Sequence, residues 1–190
     1  MKLLEDRIKN DGIVIGSDIL KVDMFLNHQI DPSLINELGK EFSRLFKDCG
    51  ADRILTVETS GVPIAVMAGL YLNIPVVFAK KASHKYVGTD LYTAECYSYT
   101  HATTYEISVS KKYLPDGEKI LIIDDFLADG NATKALLELV KQCKGEAVGI
   151  GIAVEKGFQP GGKFLREAGY NLQSLAIVDS MNENEITFRN

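Results

Sequence analysis

KILIIDDFLADGNAT, from Lys119 to Thr133, decides how the rest of this chain is read. Ile120 to Ile123 form an unbroken apolar run of the length and type found in strands buried on both faces of a sheet. Asp124 and Asp125 stand where that strand is expected to end. Ala128, Asp129, Gly130, Asn131 and Ala132 make a short turn of mostly small residues. The following run, Thr133 to Cys143, is apolar at Ala135, Leu136, Leu139 and Val140, which is the spacing of one helix face. Strand, acidic pair, small-residue turn and helix start together describe a cradle for a sugar phosphate. N–H groups at the helix start face an anion, while the carboxylates accept hydrogen bonds from hydroxyls. Two Asp closing a strand also suit a solvated turn. The small residues beside them let main chain approach a ligand and favour the cradle. No Gly-Lys-Ser/Thr follows, and no G-x-G-x-x-G is present, so the loop is of neither the Walker nor the dinucleotide kind.

Outward from this stretch, strand and helix signals alternate. Met1 to Lys9 has a helical pattern ended by the turn Asn10-Asp11-Gly12. Ile13 to Asn27 is uneven. Asp31-Pro32 supplies a cap and first residue for a helix reaching about Asp48. Ile54 to Glu58 reads as a buried strand, followed by Thr59-Ser60-Gly61 and a helix from Pro63 to about Leu72. Val76 to Lys80 is a further strand, and Lys81 to Tyr92 is polar and without period, a long loop. Thr93 to Tyr99 and Thr103 to Ser110 alternate as a hairpin. Glu146 to Val154 is a buried strand, Gly162 to Gly169 a helical stretch, and Leu172 to Val178 a last strand. This order implies an α/β fold with a doubly wound, mainly parallel sheet flanked by helices. Ligands of such sheets sit beyond the carboxyl ends of the strands. The turns after Glu58, Lys80, Asp125 and Val154 then share one edge.

A chain of 190 residues with 46% hydrophobic content builds one substantial core, hence a single domain over residues 1–190. The net charge of −5 and the lack of a basic stripe argue against a nucleic-acid partner. No apolar run approaches the ~18 residues of a membrane span, and the charged N-terminus is no signal peptide, so a cytoplasmic place is expected. Cys49, Cys96 and Cys143 are widely spaced and fit reduced thiols.

KILIIDDFLADGNAT resembles the phosphoribosyl-diphosphate (PRPP) signature of the type I phosphoribosyltransferases, and the likeness runs over nearly the whole chain. It is nearest to the bacterial members that act on xanthine. The resemblance implies transfer of 5-phosphoribose from PRPP to N9 of xanthine, with a guanine or hypoxanthine enzyme as the sibling alternative. It assigns the ribose hydroxyls to Asp124 and Asp125, and the 5′-phosphate to Ala128, Asp129, Gly130, Asn131 and Ala132. Pyrophosphate falls to Thr59 and Ser60, with Lys81 supplying the charge for catalysis. The base falls to Leu20, Asn27 and Lys156, with Phe158 either stacking on it or joining the core. Residues 1–32 would form a hood over the base, and residues 81–110 a flexible loop and hairpin. Mg²⁺ is expected on the PRPP diphosphate rather than on protein ligands, and a homodimer is expected as the assembly.

Three positions depart from the family pattern. Asp129 and Ala132 stand where relatives have Thr, so backbone amides must carry more of the phosphate. Asp129 is expected to turn away and cap the following helix. Ala128 occupies the place of an Asp proposed as proton acceptor in six-oxopurine enzymes, and no acid–base group replaces it. A PRPP-sensing regulator is the alternative from another class. It would need a nucleic-acid surface or an added domain, for which charge and length give no support.

Overall fold

The computed structural model describes residues 1–81, 90–98 and 103–189. Most of the loop expected between Lys81 and Tyr92, and the turn of the hairpin, lie outside the described residues. Helix α1 (Lys2–Asp11) buries Leu4 and Ile8 and leads into two short antiparallel strands, β1 (Ile13–Ile15) and β2 (Ile19–Lys21). A π-helical turn, Asp23–Asn27, follows and buries Phe25 and Leu26. Helix α2 (Pro32–Phe46) starts as its sequence indicates: the Asp31 carboxylate accepts N–H bonds from Ser33 and Leu34 at 3.0 and 3.2 Å. Such a cap contributes about 1 kcal/mol.

The main sheet is built from β3 (Arg53–Val57), β4 (Val76–Lys81), β5 (Leu91–Ser98), β6 (Thr103–Ser110), β7 (Lys119–Leu127), β8 (Glu146–Lys156), β9 (Leu172–Asn182) and β10 (Glu185–Phe188). Their order is β10-β9-β8-β7-β3-β4-β6-β5. The five central strands, β9 to β4 in that order, are mutually parallel, and antiparallel partners close both edges. Helix α3 (Gly61–Leu72) shares a core with α1, α2 and the β1–β2 segment on one face. Helices α4 (Asn131–Gln142) and α5 (Pro160–Glu167) cover the other. Gly39 of α2 permits close helix contact, since a Cβ there would lie 2.4 Å from Cβ of Met67 in α3. Among the described residues no helix is long and apolar enough to cross a membrane.

The structure lengthens three expected strands. β7 does not stop at the acidic pair but runs on to Leu127, because β8 keeps pairing with it through Phe126↔Val154 and Leu127↔Glu155. On its other side the ladder with β3 ends at Leu55↔Ile122, so Asp124 and Asp125 lie where one neighbour has left. β8 continues past Val154 to Lys156, paired with β9. β9 continues past Val178 because β10, which the sequence reading lacked, pairs with its end.

Candidate active site

β7, β3, β4 and β8 deliver their carboxyl ends to one edge, and each delivers a residue singled out by the sequence. Asp124 is buried and Asp125 partly covered; the Asp125 N–H donates to Asp124 Oδ1 at 3.0 Å. Gly61, at the start of α3, lies against this carboxylate. A Cβ there would be 2.8 Å from Asp124 Oδ1 and 2.3 Å from Thr56 Oγ1. Burial first, then the charge of Asp125, pushes the Asp124 carboxyl well above the ordinary range. Burial also raises Asp125. Lys81 at the end of β4 lowers both but does not offset the cost. Such a buried, like-charged pair is stabilised by a cation or by hydroxyl donors brought close to it. Among the described residues, Thr56 Oγ1 and Thr133 Oγ1 are buried polar atoms without a hydrogen-bond partner.

The loop after β7 is shaped by two glycines. Gly130 adopts φ +82° at the N-cap of α4, a conformation costly for other residues. Gly161 of α5 donates its N–H to the Ala128 carbonyl at 3.0 Å, and a Cβ on Gly161 would sit 2.4 Å from that oxygen. The expected capping role of Asp129 is not found: α4 has no side-chain cap, and Gly130 holds the cap position. The Asp129 charge instead acts on Lys156. Ser60 occupies the N-cap of α3, also without a side-chain cap hydrogen bond, and Thr59 precedes it in the same turn. The Glu58 carboxylate accepts the Lys81 N–H at 2.7 Å, tying this turn to the end of β4. The Lys81 ammonium lies 5.2 Å from the centre of the Tyr105 ring, an aromatic contact from β6 that the sequence did not reveal.

Lys156 reaches across to the β1–β2 turn, where Nζ donates to the Asp18 carbonyl at 2.6 Å. Burial pulls its pKa down, while Asp18 and Asp129 push back. Leu20 is buried in the core below that turn, Asn27 is exposed at the end of the π turn, and Phe158 is exposed rather than in the core. The residue before Lys156 was missed because the strand was expected to end at Val154. Glu155 is buried, and it accepts Arg166 Nη1 and Nη2 at 2.6 and 2.7 Å and Ser174 Oγ at 2.5 Å. Burial raises its carboxyl, but Arg166 and Ser174 more than offset this and hold it below its ordinary value. A buried acid ending an apolar strand was the available signal; its partner, 11 residues on in a helix, was not legible.

A groove of about 580 Å³ lies between α4 and α5, but it extends to Gly145 and Ala147 at the opposite edge of the sheet and lacks the acidic pair. Among the described residues no three His, Cys, Asp or Glu gather to hold a metal.

A family model described as the phosphoribosyl transferase domain matches residues 21–169. A xanthine phosphoribosyltransferase of Ruminiclostridium cellulolyticum is 53% identical over 188 residues, 99% of both chains. One of Clostridium novyi is 50% identical over 190 residues, 100% of both. In solved structures, adenine phosphoribosyltransferase from Thermoanaerobacter pseudethanolicus superposes with a TM-score of 0.73 at 21% identity, covering 92% of this chain and 98% of that one. The enzyme from Rhodothermus marinus gives 0.74 at 18% identity, covering 94% and 100%. At such identities these structures speak for the fold. With a family model spanning most of the chain and relatives at half identity over its whole length, the chain belongs to the phosphoribosyltransferase family.

Proposed function

We propose that this protein transfers 5-phosphoribose from PRPP to N9 of xanthine, forming xanthosine 5′-monophosphate and pyrophosphate in purine salvage. The observation that carries the reading is the uncompensated acidic pair at the sheet edge, set between a glycine-turned helix start and Lys156. The relatives named for xanthine, at 53% and 50% identity, support the choice of base.

In this reading Asp124 and Asp125 accept the ribose 2′- and 3′-hydroxyls. Positive charge develops at the anomeric carbon as pyrophosphate leaves. A carboxylate about 4 Å away stabilises such a charge by roughly 4 kcal/mol at an effective dielectric near 20. That interaction grows toward the transition state and so lowers the barrier. Amides from Ala128 to Ala132 hold the 5′-phosphate at the α4 N-terminus. Thr59, Ser60 and Lys81 receive the pyrophosphate. Mg²⁺ belongs to this reading as part of the substrate, since diphosphate oxygens suit a hard cation and the acidic pair lies beside them. When bound, it neutralises charge on the leaving diphosphate.

Lys156 donates to the 6-oxo group, and Leu20 and Asn27 close the hood formed by residues 1–32 over the ring. Asn27 can donate to the 2-oxo group of xanthine; a mismatch there is worth about 1–3 kcal/mol, which limits but does not abolish use of guanine. A homodimer and a cytoplasmic place belong to the same reading. Exposed Val66, Leu70 and Tyr71 on α3 give the chain an apolar face for self-association.

The test is to supply PRPP and Mg²⁺ with xanthine, guanine, hypoxanthine, adenine or orotate in turn and to measure nucleotide formed. Preference for xanthine is the expected result. PRPP binding with no turnover on any base would favour a sensor instead.

A further inference from the structure

Among the described residues only two acids are buried, Asp124 and Glu155. The second touches no candidate ligand group, yet it joins three elements: its own strand β8, α5 through Arg166, and β9 through Ser174. A buried ion pair adds little stability over an apolar pair of the same volume. What a two-pronged guanidinium–carboxylate contact does supply is a fixed orientation. The neighbouring main chain shows how tight that fixing is. A Cβ on Gly162 would fall 2.0 Å from Glu155 Oε1, so α5 rests directly on the carboxylate. The adjacent Gly161 donates to Ala128 in the phosphate loop at 3.0 Å. One side of the α5 N-terminus is thus set by Glu155, and the other side sets the loop.

The strand end that carries Glu155 also carries Lys156, on the opposite face. Gly149 and Gly151 lie under Phe46 and Phe42 of α2, so Glu155, a whole number of strand repeats later, would be expected on that face. Ala153 and Val154 both join the core that contains α2 and the β1–β2 segment, and after them the alternation is shifted by one. Glu155 therefore faces α5, and Lys156 faces Asp18 across the site.

We propose that Glu155, held by Arg166 and Ser174, is a positioning residue that sets the span between the loop at residues 128–132 and Lys156. Resting on the proposed transferase reading, this span is the one between the 5′-phosphate and the purine 6-oxo group of one nucleotide. A shift of α5 displaces both ends together, so the Michaelis constants for PRPP and for xanthine should change in concert.

The experiment compares wild type with the double variant Glu155→Met, Arg166→Met, and with Arg166→Lys. Each is measured for melting temperature, kcat, and KM for both substrates. The double variant is expected to melt near wild type while both KM values rise about tenfold or more, since a 1 Å misplacement readily costs that much. Arg166→Lys, at a side chain 38% exposed, should fold and raise both severalfold. Wild-type KM values in a folded double variant would overturn the proposal, as would a change in only one of the two. If the double variant does not fold, Arg166→Lys decides by the same criterion. Wild type that transfers phosphoribose to no base would instead defeat the reading on which the proposal rests.

Discussion

The carboxyl ends of β7 and β8 each bury one acid, and the two acids have opposite surroundings. Asp124 has a second carboxylate beside it, a glycine pressed against it, and a lysine too weakly placed to balance the charge. Glu155 has a guanidinium on both its oxygens and a hydroxyl on Oε2 as well. One carboxyl is consequently raised and the other lowered. Complete pairing marks a joint in the fold, whereas incomplete pairing at a sheet edge marks a candidate binding site.

The largest expected effect breaks the first half of that contrast. Replacing Asp124 and Asp125 by Asn removes an interaction of roughly 4 kcal/mol per carboxylate near the developing charge, so turnover should fall about a thousandfold or more. The fold should persist with an undiminished melting temperature, because no buried charge is stranded. Unchanged turnover in a steady-state assay would detach the pair from the chemistry.

Next is Lys156→Ala, which leaves the acids alone and removes the group directed across the site. KM for xanthine should rise about ten- to a hundredfold, the worth of a charged hydrogen bond, with a smaller change for PRPP. An unaltered base KM would place the purine elsewhere.

Gly130→Ala probes the turn that separates the two strand ends. A side chain at φ +82°, with its Cβ 3.3 Å from Gly161 Cα, should cost about 1–2 kcal/mol in denaturant unfolding. A variant as stable as wild type would show that the turn relaxes freely.

The smallest effect is in pH dependence, where the two acids act with opposite sign. The folded pKa of Asp124 is raised, so the folded state binds more protons than the unfolded one above the ordinary value of 3.8, and stability falls as pH rises through the raised pKa. The folded pKa of Glu155 is lowered, so its contribution is present above the ordinary value of 4.5 and is lost as pH falls through the lowered one. Each slope is at most about 1.4 kcal/mol per pH unit. In melting curves between pH 3 and 7, the Asp124→Asn, Asp125→Asn variant should lose the neutral-side decline and keep the acid-side one. Loss of the acid-side limb in that variant would reverse the assignment.

Much of this arrangement was legible in the sequence. The apolar run Ile120–Ile123 gave the buried central strand, Asp31-Pro32 gave the start of α2, and the alternation of elements gave the parallel sheet. What escaped was decided by pairing across the sheet. Asp124 to Leu127 and Glu155-Lys156 are strand because β8 and β9 bond to them, although charge ends the apolar run that a sequence displays. β1 and β2, each of three residues, are too short to show a period. Asp129 resembles a helix cap in sequence, but the positive φ of Gly130 turns the chain before the helix begins. The candidate residues at positions 124, 125, 81, 128–132 and 156 do converge on one edge. Their relation to Glu155 and Arg166 depends on packing between a strand end and a helix, which no local pattern encodes.

A crystal structure of the protein soaked with PRPP and Mg²⁺ bears most directly on whether one activated pentose occupies this edge. The donor should lie with its ribose hydroxyls on Asp124 and Asp125 and its 5′-phosphate on the amides of residues 128–132. Density for PRPP in the groove lined by Lys141 and Phe164, with the acidic pair untouched, would contradict it.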